Sequence, residues 1–92
     1  MDIKMYSTTN CGYCRAAKHL FEARKLPFTE IDCTNDQATR DRLVEETGRR
    51  TVPQIYLDGV PIGGFDDLVQ LDRSGDLAKI LAGTQKPVSI GE

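Results

Sequence analysis

Ser7-Thr8-Thr9-Asn10-Cys11-Gly12-Tyr13-Cys14 is the stretch whose reading decides the fold. Before it, Ile3, Met5 and Tyr6 suggest a short strand, which the turn and cap formers Ser7 to Asn10 bring to an end. After it, Ala16, Ala17, Leu20 and Phe21 recur at helical spacing while Arg15, Lys18, His19 and Glu22 fall on the opposite face, so an amphipathic helix runs from Gly12 to Arg24. The two cysteines therefore sit where a strand hands over to a helix. Cys11 occupies the cap region, where the free N–H groups of the first turn and the positive end of the helix dipole stabilise a thiolate. Cys14 lies one turn further in, within reach of the Cys11 sulfur, and suits resolution of a mixed disulfide better than the first attack. Arg15 and Lys18 add positive potential nearby. A C-x-x-C pair can also be a metal site or an inert structural pair. Zinc normally takes four ligands, and the only other Cys and His residues are Cys33 and His19, the latter on the polar helix face. Redox chemistry is the favoured reading.

Working outward, Pro27 blocks continuation of the helix, and Phe28 to Asp32 alternates like a strand with Phe28 and Ile31 inward. Asn35 or Asp36 can cap a second helix that runs to Thr47, burying Leu43 and Val44, with Gly48 as its stop. The period then changes. Val52 to Leu57 and Val60 to Ile62 flank Asp58-Gly59, the strongest short-range hairpin signal, so these two strands are antiparallel. Gly63-Gly64 leads into a third helix whose first turn holds Asp66 and Asp67; a break at Ser74-Gly75-Asp76 starts another, burying Leu77, Ile80 and Leu81, and Gly83 ends it. The order β-α-β-α-β-β-α predicts an α/β fold, a central four-stranded mixed sheet with helices on both faces. Residues 1–83 form one domain, and 84–92 hold too little apolar surface to pack and read as a flexible tail.

Composition bounds the function. A chain of 92 residues supports one core. With 39% apolar and 28% charged residues, and no apolar run near the roughly 20 residues of a bilayer span, it reads as a globular domain that is neither a membrane protein nor disordered. Twelve basic against fourteen acidic side chains leave a net charge of -2, which argues against nucleic acid as a partner. The start MDIKMYSTTN has no apolar run behind a basic segment, so the expected location is the cytoplasm, a reducing compartment. There, three cysteines do not make a disulfide scaffold.

Four features together resemble the small bacterial dithiol glutaredoxins, a family with the thioredoxin fold, over Met1 to Ala82: the early C-x-x-C with tyrosine third, Thr51-Val52-Pro53 before the third strand, the Asp58-Gly59 hairpin, and Gly63-Gly64-Phe65-Asp66-Asp67 opening the third helix. The sequence itself shows only an X-Pro bond opening a strand; the resemblance implies that Pro53 is cis and faces the active-site cysteine. It also implies a glutathione site. Val52 would pair its backbone with the tripeptide as in strand addition, beside Tyr13 and Thr51. Gly64 and Phe65 would offer N–H groups to the γ-glutamyl carboxylate, and Asp66 its own carboxylate to the ammonium; Asp66 and Asp67 can equally be helix caps. Arg40 matches the family's polar contact to the glycine carboxylate, with Arg49 and Arg50 as further candidates.

Two positions depart from the family. Thr8 stands where a lysine is common, removing a charge that favours the thiolate and glutathione. Gly12 stands where dithiol members have proline, resembling the C-G-F-S pattern of the monothiol, iron–sulfur branch. Cys33 reads as a small buried side chain. The implied function is a glutathione-dependent thiol–disulfide oxidoreductase that reduces protein disulfides and glutathionylated proteins as a monomer, with glutathione as co-substrate and no obligatory prosthetic group. The alternative is a carrier in which Cys11 of two chains and two glutathiones hold a 2Fe–2S cluster.

Overall fold

The computed structural model describes residues 1–90, so Gly91 and Glu92 of the expected tail lie outside the described residues. The chain runs β1 (Ile3–Ser7), α1 (Gly12–Ala23), β2 (Thr29–Asp32), α2 (Gln37–Thr47), β3 (Gln54–Leu57), β4 (Val60–Gly63), α3 (Phe65–Ser74) and α4 (Asp76–Leu81). The strands form one sheet in the order β2-β1-β3-β4, with β1 and β2 parallel and the other two pairings antiparallel. This is the thioredoxin-like sheet that the sequence predicts.

Register places the site. Tyr6, near the end of β1, pairs with Gln54 at the start of β3, and Ile55 pairs with Gly63 at the end of β4. The exit of β1, the entry of β3 and the exit of β4 therefore meet at one end of the sheet. Those three points carry, respectively, the C-x-x-C, the Val52-Pro53 turn and the start of α3. The hairpin at the far end is closed by Asp58 at φ +51° and Gly59 at φ +79°, the pair of positive values that a tight two-residue hairpin turn demands.

Strand alternation divides the core. Ile3 and Met5 on β1 and Ile55 and Leu57 on β3 point to one face, where Ala17 and Phe21 of α1, Leu68 of α3 and Leu77 and Ile80 of α4 cover them. Tyr6 and Tyr56 point to the other, under Leu43 of α2 and beside Cys33. Gly75, at φ +87°, ends α3 and turns the chain into α4, as the Ser74-Gly75-Asp76 break predicts.

Some expectations need correction. The second strand begins at Thr29, because Phe28 turns aside to stack on Phe21 with ring centroids 5.0 Å apart. The third begins at Gln54, since Val52-Pro53 is spent on the turn. Val44 and Leu81 are only partly buried. In place of Val44, Thr47 is buried, its hydroxyl donating to Leu43 O at 2.7 Å. Residues 84–90 form no helix or strand, and the Ile90 N–H donates to Pro61 O on β4 at 3.0 Å.

Candidate active site

Cys11 is the N-cap of α1. Its backbone is extended (φ -125°, ψ 107°), and its sulfur accepts the Cys14 N–H at 3.1 Å, doing for the first turn what a serine or aspartate oxygen does at other helices. The same contact places a free helical N–H and the positive helix end on the sulfur, the environment that favours a thiolate. Cys11 and Cys14 are joined as a disulfide, with Cα atoms 5.2 Å apart. Cys14 is 2% exposed, whereas Cys11 is only partly buried. An incoming sulfur can reach Cys11 from the rim and cannot reach Cys14, so access as well as capping sets the two cysteines apart.

The Val52–Pro53 bond is cis, as the resemblance implies, and Val52 O lies 3.6 Å from the Cys11 sulfur. This turn borders a cleft of about 260 Å³. One wall is Tyr13, Thr51, Val52 and Pro53; the other is Gly64, Phe65 and Asp66, so seven residues singled out from the sequence come together. The Tyr13 ring, 65% exposed, tilts over Phe65 with centroids 6.1 Å apart. Any Cβ at Gly64 would come within 3.2 Å of Pro53 O, so glycine lets the two walls approach backbone to backbone.

The two aspartates separate by role. Asp67 reaches back to accept the Gly64 N–H at 2.9 Å, closing a capping box, and accepts the Arg49 guanidinium at 2.8 Å. Burial pushes the Asp67 carboxyl up, but Gly64 and Arg49 outweigh it and hold it below the ordinary carboxylate value. Asp66 is exposed and makes no side-chain hydrogen bond or ion pair among the described residues, so its carboxylate remains open to a ligand.

Arg40 is not in this cleft. It lies on α2 beside Gln37, Asp41, Val44 and Arg50, along a separate groove of about 300 Å³. The cleft cation is instead Arg49, which the sequence offered only as a further candidate, and Asp67 joins it there. A second cleft of about 350 Å³ opens on Cys11, with Glu30 and the buried Cys14 also among its lining residues. The Glu30 carboxylate accepts the buried Ser7 hydroxyl at 2.7 Å and the Lys18 ammonium at 3.2 Å. Only strand pairing brings Glu30 here, and the sequence held no signal for it. The zinc set weighed for the cysteines is not assembled among the described residues: His19 is exposed, and Cys33 is fully buried with its thiol on Ser7 O at 3.2 Å.

A helix-capping C-x-x-C that faces a cis-proline turn at the end of a four-stranded mixed sheet is the site of a thioredoxin-like thiol–disulfide oxidoreductase. Residues 3–62 match the glutaredoxin family model. Glutaredoxin 3 of Escherichia coli is 38% identical over 80 residues, covering 87% of this chain and 96% of that protein. Among solved structures, the buckwheat glutaredoxin–glutathione complex superposes with a TM-score of 0.83 at 30% identity, over 95% of this chain and 81% of that one. The Brucella melitensis glutaredoxin gives 0.79 at 37%, over 88% of each. The chain belongs to the glutaredoxin family. Among the described residues no helix is long and apolar enough to cross a membrane.

Proposed function

We propose that this glutaredoxin uses glutathione to reduce glutathionylated proteins and protein disulfides in the cytoplasm. The observation that carries the reading is the cleft beside Cys11, which brings a cis-proline turn, the N-terminus of α3 and an unpaired Asp66 together at one side of the reactive sulfur. In this reading the Val52 backbone pairs with the tripeptide, the N–H groups at the start of α3 take the γ-glutamyl carboxylate, and Asp66 takes the ammonium. The glycine carboxylate extends out of this cleft to meet Arg40 and Arg50, which line the separate groove on α2.

For a glutathionylated protein, the Cys11 thiolate attacks the glutathione sulfur; the protein cysteine leaves as a thiolate and is protonated. Cys11 then carries glutathione, and a second glutathione thiolate attacks that sulfur to release oxidised glutathione and regenerate Cys11. For a protein disulfide, Cys11 attacks and forms a mixed disulfide with one substrate sulfur. Cys14, deprotonated, attacks Cys11, releases the reduced substrate and leaves the Cys11–Cys14 disulfide for two glutathiones to reduce.

The test is turnover of a glutathione mixed disulfide coupled to glutathione reductase, followed by NADPH loss. Cys11→Ser is expected to abolish both reactions, while Cys14→Ser loses protein-disulfide reduction and keeps deglutathionylation, which needs one protein sulfur. No turnover by reduced, folded protein overturns the glutathione reading; equal loss in both variants overturns the division of roles.

A further inference from the structure

The two walls of the cleft belong to parts of the chain that the β3–β4 hairpin separates. One is the segment 48–53 between α2 and β3; the other is the start of α3. Among the described residues one side-chain ion pair ties them, from Arg49 Nη1 to Asp67 Oδ2 at 2.8 Å. Asp67 Oδ2 also holds the Gly64 N–H, so the contact ends on the backbone of the opposite wall. The other ion pairs among the described residues, such as Lys18 to Glu30 and Arg24 to Asp72, lie away from this cleft.

Arg49 is unlike an ordinary surface arginine because its backbone is pinned at both polar groups. Its N–H donates to the Thr47 hydroxyl at 3.1 Å, and its carbonyl accepts the Gln54 amide at 2.9 Å. Thr47 and Gln54 are both buried. The guanidinium therefore starts from a fixed base, and less freedom is lost when it meets Asp67. Meanwhile the 3.2 Å approach of a Gly64 Cβ to Pro53 O shows how little slack separates the walls. A binding site whose width is set in advance spends less of the interaction on ordering itself.

We propose that the Arg49–Asp67 ion pair is a latch that holds the two walls at glutathione-binding width, which makes Arg49 a positioning residue for glutathione. The proposal rests on the glutathione reading above. A latch acts through the pair, so breaking either end has the same consequence and breaking both adds nothing. A direct contact from Arg49 to the ligand makes the opposite demand, because removing Asp67 would free the guanidinium and leave binding intact or tighter.

The experiment is calorimetric binding of S-methylglutathione, which cannot react at sulfur, to the full reduced chain and to Arg49→Gln, Asp67→Asn and the double variant. Each single change is expected to weaken binding by about 5-fold, the low end of conformational coupling, with no further loss in the double. In turnover the loss should fall in KM for glutathione rather than in kcat. Arg49→Lys, which keeps the charge without the fork, should recover part of the affinity. Should Asp67→Asn not fold, Asp67→Gln takes its place, since glutamine at this position of a capping box still accepts the Gly64 N–H while the charge that pairs with Arg49 is gone. Wild-type affinity in Arg49→Gln, unchanged or tighter binding in Asp67→Asn, or losses that multiply in the double variant overturn the latch. No binding to the wild type overturns the glutathione reading itself and the latch with it.

Discussion

Three cysteines in this chain meet three environments, and their chemistry follows. Cys11 caps a helix at the rim, Cys14 lies behind it at 2% exposure, and Cys33 is fully enclosed between β1 and α2 with its S–H on Ser7 O. Burial pushes the Cys33 thiol up, with the Arg40 charge opposing, so at neutral pH it stays protonated. Limited iodoacetamide labelling of the reduced native protein, read by mass spectrometry, is expected to modify Cys11 rapidly and Cys33 only after denaturation. Labelling of Cys33 at the rate of Cys11 would count against its burial. The cap role makes a second prediction. In Cys11→Ser the serine oxygen can accept the Cys14 N–H in place of sulfur, so unfolding free energy should stay within about 1 kcal/mol of the reduced wild type while all thiol transfer is lost.

At the scale of elements, α1 carries the departure from the family at Gly12, its first helical residue. Proline suits this position because the N–H has no helical partner there and the fixed φ is already helical. A Cβ at Gly12 would meet only Arg15 Nη2 at 3.7 Å, an ordinary contact. Gly12→Pro is expected to stabilise the protein by about 0.4–1 kcal/mol, chiefly by restricting the unfolded chain, and a lowered Tm would contradict that. The cysteines and the Asp58-Gly59 hairpin were legible because their signals are local: a cap, a period, a turn pair. Arg40 was not, because α2 fully buries only Leu43 and Thr47, too little to reveal which way its remaining face is turned. The split between Asp66 and Asp67 had a readable signal, since a capping box sets its acid three residues after Gly64, at Asp67. The pairing of Asp67 with Arg49 had none. Eighteen residues and a hairpin separate them, and only the folded sheet brings them together.

On the scale of the whole molecule, the sheet separates an apolar layer beneath α1, α3 and α4 from a polar-edged layer beneath α2, and the two layers set the pH limits of stability differently. On the acid side, carboxylates that cap or pair hold the limit. The Thr39 hydroxyl and N–H keep Asp36 low, and the Arg24 guanidinium keeps Asp72 low; Asp67 is held low by Gly64 and Arg49 against its burial. A depressed carboxyl contributes stability that is complete above its unfolded value of 3.8 and is lost as pH falls through the lower folded value, so the acid limb should open only below about pH 4. On the alkaline side the α2 layer decides. Burial, and then the Glu46 charge, push the Tyr56 hydroxyl from 10.0 up to about 12. A raised phenol contributes stability that is complete below its unfolded value and is lost as pH climbs through the folded one, which places this limb between pH 10 and about 12. Tyr56→Phe removes that titration while keeping the ring that meets Tyr6 edge-on at 5.4 Å. Urea unfolding measured from pH 8 to 12 should then show a shallower alkaline fall in the variant than in the wild type; the raised Cys33 thiol is common to both proteins. Parallel curves would mean that Tyr56 titrates alike in the folded and unfolded chains, and that the α2 layer does not set the alkaline limit.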